Sequence, residues 1–178
     1  MAIKAADVKK LRDATGAGMM DAKKALTEAD GDFDKAVDLL RVAGQAKAAK
    51  RSDREAANGL VVGAGNALVQ IGSETDFVAK NADFVATADK IAKAVDAAKA
   101  DSKDAAAQVQ LDDGKTVSQT LEDLAGTIGE KIELADAAYF EGNAHIYLHR
   151  RSQDLPPQVG VMVEYTGEDT EAVHGVCL

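Results

Sequence analysis

The segment GLVVGAGNALVQIGSETDFVAKN, residues 59–81, changes period part-way along. Leu60-Val61-Val62 and Ala67-Leu68-Val69-Gln70-Ile71 are β-forming runs. Between them lies Gly63-Ala64-Gly65-Asn66, the composition of a hairpin with a glycine-rich turn. After Gly72 the pattern becomes helical, so Asp76 and Phe77 fall side by side where strand gives way to helix. On spacing alone this is an ordinary helix start: Ser73 or Thr75 caps, Asp76 favours the first turn and Phe77 faces the core. Apolar residues then recur at 77/78, 84/85, 88, 91/92, 95 and 98. Asn81-Ala82-Asp83 is the point where a short helix hands over to a longer one.

Upstream, residues 1–55 read as three short helices. Ile3, Val8 and Leu11 mark the first, stopped by Gly16. Ala22, Ala25, Leu26 and Ala29 recur at i, i+3, i+4, i+7 until Asp30-Gly31 breaks the second. Asp32 is a good N-cap for a third, with Phe33, Ala36, Val37 and Leu40 on one face and Gly44 closing it. Three short helices bury little surface, so this unit is expected to be marginal unless it docks on something. Lys47, Lys50, Arg51 and Arg54 are interleaved with Asp53 and Glu55, which fits a solvated helical linker better than a binding patch.

Downstream, residues 100–115 are polar and read as a loop with about one turn of helix. Leu121, Leu124, Ala125 and Ile128 make a short amphipathic helix ending near Gly129. Ile132, Leu134, Ala138 and Phe140 belong to one extended segment, Gly142-Asn143 is a turn, and residues 144–149 alternate with period two. Pro156-Pro157 interrupts before Val159, Val161 and Val163 form a further strand ending at Tyr165. GNALVQI (65–71) and GNAHIYL (142–148) share their first letters, an arrangement that fits a repeated subdomain. The chain stops at VHGVCL, inside a helical run without a cap, and is expected to be a piece of a longer protein. The fold class is α+β.

The net charge of −9 is unevenly spread: residues 1–55 hold 12 Lys/Arg against 10 Asp/Glu, the remainder 9 against 20. An acidic body argues against nucleic acid as the main partner, because phosphate binding needs a basic face. No run reaches the ~18–20 apolar residues of a membrane helix. The start, MAIKAADVKKLRD, lacks the apolar stretch of a signal peptide, and the single cysteine, Cys177, excludes an internal disulfide. Together these favour a cytoplasmic protein. Catalytic chemistry finds no support. Gly16-Ala17-Gly18 has neither the lysine nor the preceding strand of a phosphate loop. His145 and His149 on one strand stand about 13 Å apart, too far to share a metal. Cys177 reads as a buried structural thiol, and Asp112-Asp113 as a solvated loop pair. With no metal, cofactor or active site expected, the chain works by binding and is not an enzyme.

Three stretches then point to one family. They are LRDATGAGMMDAKKAL (11–26), followed by EADGDFDKAVDLLR and GQAKAAKR; VQIGSETDFVAKN (69–81); and GEKIELADAAYFEGN (129–143). In this order and spacing they resemble the elongation factor Ts family. The resemblance implies an N-terminal ubiquitin-associated-like (UBA-like) three-helix module with its basic linker (1–55). It also implies a core of two related α+β subdomains, 56–137 and 138–178, the second truncated here. It implies a guanine-nucleotide exchange factor whose partner is elongation factor Tu, acting in translation elongation, with no direct nucleic-acid or membrane contact and with higher-order assembly left open. Asp76, Phe77, Val78 and Ala79 would enter the GTPase near its nucleotide-bound Mg2+. Arg12, Met19 and Met20 would form a second contact; adjacent on a helix, the two methionines cannot both face one core, so at least one is exposed. His149 matches a family histidine that touches the partner away from the nucleotide, here within HRRSQDLPPQVG, longer and more polar than the family pattern. Two other functions compete. One is an adaptor whose UBA-like module binds a helical or acidic peptide, indifferent to Asp76 and Phe77. The other is a small metal- or thiol-dependent enzyme built on His145, His149 and Cys177.

Overall fold

Backbone breaks at Gly16 and at Asp30-Gly31 cut the N-terminal region into helices. In the computed structural model, which describes residues 3–168 and 171–178, these are α1 (Ala5–Thr15), α2 (Met19–Glu28) and α3 (Phe33–Ala49). Gly16 takes a φ of 68° and donates its N–H to the carbonyl of Arg12, a left-handed cap that costs glycine nothing. Asp30 and Gly31 turn the chain with φ of 52° and 85°, and Asp32 Oδ1 accepts from the N–H of Lys35 (3.1 Å) to start α3. These helices and residues 122–130 make up one unit. Val8, Leu11 and Leu26 are buried in its core, but Ala22, Ala25, Ala29 and Ala36 supply much of the rest. Alanines bury little area each, so this core depends on close approach of its backbones.

Gly44, expected to close α3, does not: the helix runs on to Ala49. Its use is lateral. A Cβ on Gly44 would stand 3.2 Å from Gly126 Cα, and one on Gly126 would stand 3.1 Å from Gly44. Gly126 lies in α7 (Val117–Ile128), so two glycines let the backbones of α3 and α7 touch. A helix tolerates such a glycine when packing repays the ~1 kcal/mol of lost propensity.

The second unit comprises Arg54–Leu121 and Lys131–Leu178. Strands β1 (Asn58–Ala64), β2 (Ala67–Ser73) and β3 (Ile132–Tyr139) form an antiparallel sheet in that order. The β1–β2 turn is only Gly65-Asn66, because Ala64 already pairs with Ala67. Asn66 donates its N–H to Asp96 Oδ1 (2.8 Å) and its side-chain amide to the carbonyls of Phe140 (2.8 Å) and Gly142 (2.6 Å). The asparagine of the first GNA motif thus holds the backbone at the second.

Helix α5 (Ala82–Ala98) lies against β1 and β2 and buries Phe84, Ala88, Ile91 and Val95. Leu60, Val61 and Val62 are all buried without alternation because the other face of the sheet is covered too. The hairpin of β4 (Asn143–His149) and β5 (Val159–Tyr165) covers it, with Gly160 close against Val61 and Leu68, and Ile146 against Gly63. Pro157 offers no N–H, but its carbonyl accepts the outward N–H of Val61 (2.7 Å) and so covers the edge of β1. Helix α6 (Lys103–Gln108) contacts β3, and α8 (Glu171–Cys177) contacts β4 and β5 with Cys177 buried. The fold is α+β, helices first and a stranded core after them.

One register shift departs from simple alternation. Ile71 pairs with Leu134 but Gln70 with Asp136, leaving Ala135 as a bulge. Buried positions therefore move from Ile132 and Leu134 to Ala137, and Phe140 lies just past the strand. The Gly44–Gly126 contact makes a clear prediction. Gly126→Val should lower stability in urea or thermal unfolding by about 1–3 kcal/mol through overpacking against backbone that cannot give. Unfolding indistinguishable from the wild type would show that the two helices do not depend on this approach.

Candidate functional site

Beyond Ser73, the last paired residue of β2, the chain enters α4 (Asp76–Ala79), a single turn. Thr75 takes the N-cap position with an extended backbone. Ser73 does not cap. Fully buried, it donates its hydroxyl to the carbonyl of Thr75 (2.9 Å).

Within the turn, Val78 is 5% exposed and Ala79 fully buried, whereas Phe77 is 81% exposed. Helix α4 contacts β1, β2 and α5, so Val78 and Ala79 are its inward side. Successive helical residues point about 100° apart, so sinking 78 and 79 into the core turns 77 outward. The expectation from spacing that Phe77 faces the core is overturned: Val78 takes that place. An exposed phenylalanine leaves roughly 1.5–3 kcal/mol of burial unused. Beside it, Asp76 lies 3.8 Å from Lys80 Nζ, both side chains more than 40% exposed. Such an i,i+4 pair is worth only about 0.3–0.5 kcal/mol, so the carboxylate is lightly held.

The foot of the turn is held more firmly. Glu74, its side chain 15% exposed, accepts from Arg54 Nη1 through Oε2 (2.9 Å) and from the N–H of Lys131 through Oε1 (2.6 Å). Its carbonyl accepts from the side-chain amide of Asn58 (2.9 Å). Lys131 Nζ returns a bond to the carbonyl of Arg54 (2.9 Å) and pairs with Glu133 (3.2 Å). Sequence reasoning missed Glu74 and Asn58 and left Arg54 in a solvated linker. The partners are 16, 20 and 57 residues apart, and no local pattern announces them.

The other candidates lie elsewhere. Arg12 is exposed on α1. At the start of α2, Met19 and Met20 are 49% and 77% exposed, so the expectation of at least one outward methionine is met by both. His149 is exposed at the end of β4, with Nδ1 3.1 Å from the hydroxyl of Tyr147. His145 is turned to α8 instead, its Nε2 3.2 Å from His174 Nδ1. Among the described residues, no three His, Cys, Asp or Glu are grouped to hold a metal, and no helix is long and apolar enough to cross a membrane.

The family model for elongation factor TS matches residues 74–178, from Glu74 through the exposed turn to the last residue. The chain belongs to the elongation factor Ts family. Over all 178 residues it is 76% identical to Elongation factor Ts of Cutibacterium acnes (strain DSM 16379 / KPA171202), covering 66% of that protein. It is 57% identical over 174 residues to Elongation factor Ts of Mycolicibacterium gilvum (strain PYR-GCK), covering 98% of this chain and 64% of the relative. With that of Nocardioides sp. (strain ATCC BAA-499 / JS614) it shares 58% over 171 residues, covering 96% and 63%. The chain thus spans 63–66% of the length of these curated relatives.

The turn's geometry separates two neighbouring substitutions. Phe77→Ala should leave thermal unfolding unchanged to within about 0.5 kcal/mol, as for a surface site. Val78→Ala should cost about 1.5–3 kcal/mol for the buried methyl groups it removes. Equal destabilisation by the two would contradict the outward placement of the ring.

Proposed function

We propose that the chain is a nucleotide-exchange factor that binds elongation factor Tu–GDP and promotes loss of Mg2+ and GDP during translation elongation. The observation that carries this reading is Phe77, exposed beside Asp76 on a turn whose next two residues are anchored in the core. Phe77 acts as a wedge: entering an apolar pocket of the GTPase, it contributes roughly 1.5–3 kcal/mol, enough to hold a neighbouring segment displaced. Asp76 brings negative charge towards the groups that hold metal and phosphates. Mg2+ demands near-ideal octahedral oxygen geometry at about 2.0–2.1 Å, so a small displacement of its surroundings releases it. Val78 and Ala79 supply the backing against which the wedge pushes.

In this reading the module of residues 1–55 adds a soft contact through Arg12, Met19 and Met20, suited to methionine's adaptable side chain. Residues 56–137 present the wedge. Residues 138–178 begin the second core subdomain, with His149 as a contact away from the nucleotide. The setting is the cytoplasm. No bond in the nucleotide is made or broken, so the factor changes the rate of release and not the final nucleotide ratio. Linkage makes the effect reciprocal: a factor that weakens GDP binding is itself weakened by GDP, so nucleotide rebinding expels it.

Stopped-flow release of fluorescent GDP from elongation factor Tu, chased with excess unlabelled GDP, tests this. The wild-type chain should accelerate release. Phe77→Ala should forfeit roughly 10- to 100-fold of that acceleration, the rate equivalent of the lost burial. Acceleration that survives Phe77→Ala would exclude the wedge. Binding that depends on Met19 and Met20 but brings no acceleration would favour the adaptor, the second reading that the two exposed methionines support.

A further inference from the structure

We propose that Glu74 is the positioning residue of the Asp76–Phe77 tip, fastening it to Arg54 and Lys131, the first residues of the two segments that make up the stranded unit; the proposal rests on the exchange reading above. The sheet does not hold the tip. The ladder of β2 ends at Ser73, paired with Asn58 on one side and Ile132 on the other, and Glu74 is the first residue beyond it. From there to the buried pair Val78-Ala79 the backbone is set by individual bonds: Asn58 to the carbonyl of Glu74 and Ser73 to that of Thr75. The Glu74 carboxylate adds two more, one oxygen on Arg54 and the other on the N–H of Lys131.

Those two partners are distinctive. The helical unit ends at Asp53 and again at Glu130, so Arg54 and Lys131 are the first residues after each exit. Glu74 gathers these two residues at a point two residues before Asp76 and three before Phe77. With a largely buried side chain, its bonds to Arg54 and Lys131 are charge-assisted and short. A one-turn helix has no slack to absorb movement at its foot, so a shift at Glu74 reaches the Phe77 ring. Glu74 itself touches no reacting group. It acts through the placement of Asp76 and Phe77.

The test compares Glu74→Ala, Glu74→Gln and Arg54→Ala in two measurements on the whole chain. The first is hydrogen exchange of the free chain at the amides of Ala79, Lys80 and Asn81, which close the turn onto Thr75, Asp76 and Val78. Glu74→Ala should lower protection there while α5 and the sheet keep theirs. The second is GDP release from elongation factor Tu over a range of factor concentrations. Glu74→Ala should lower the maximal rate roughly tenfold, as a misplaced reacting group does, and move the half-saturating concentration far less. Glu74→Gln keeps an oxygen for the N–H of Lys131 and should recover most of both losses. Wild-type protection and wild-type maximal rate in Glu74→Ala would overturn the proposal. Should that variant lose its fold, Arg54→Ala decides, because it spares the Lys131 bond: loosening of the same amides with a lower maximal rate supports the assignment, and wild-type behaviour in both overturns it. A wild-type chain that fails to accelerate release removes the exchange reading, while the exchange of the free chain still reports whether Glu74 holds the turn.

Discussion

Burial of Val78 and Ala79 is the constraint on which the site depends. A one-turn helix has too few hydrogen bonds to be stable by itself, since helix nucleation costs more than a single turn returns. This turn exists because two of its four residues are sunk against β1, β2 and α5. The same packing leaves Phe77 no inward position. The hairpin of β1 and β2, covered on one face by α5 and on the other by β4 and β5, is in turn the platform that makes such burial possible. An exposed aromatic on a rigid mount loses little conformational freedom on binding, so most of its burial free energy is available to act on a partner.

The helical unit is built on a different plan. Its core is rich in alanine, and glycines at 44 and 126 bring backbones together where larger side chains would stand them apart. Little apolar area is buried per residue, while two flexible methionines remain outside. The half-exposed Lys47–Asp21 pair (2.9 Å) adds at most about 1 kcal/mol to this unit. Small close-packed helices with soft apolar residues on the surface suit docking, whereas the covered sheet suits holding one side chain still.

Much of the fold was legible because its signals are local. Gly16 and Asp30-Gly31 demand left-handed backbone, the hairpin has its turn residues, and Asn81 breaks the helix where its side chain accepts from Asp83 and Phe84 N–H. Three features were not legible. Periodicity could not choose between Phe77 and Val78, since a single turn shows no period. Gly44 carries the same letter whether it ends a helix or lets another approach, and only Gly126, 82 positions on in sequence, distinguishes the two. The bulge at Ala135 arises from the register with β2 and leaves no mark in the β3 sequence. The tip itself stood out through the family motif. Its support at Glu74 did not, because charged residues flanking a motif look alike until their distant partners are known.

The most direct measurement is the environment of the residue 77 ring, free and bound. With 4-fluorophenylalanine placed at 77 alone, the fluorine resonance of the free chain should lie at a solvent-exposed position and respond to a soluble paramagnetic quencher. Adding nucleotide-free elongation factor Tu should shift and broaden it and abolish the quenching, and GDP should restore the free signal. A ring already shielded in the free chain, or one that stays accessible in the complex, would contradict the account.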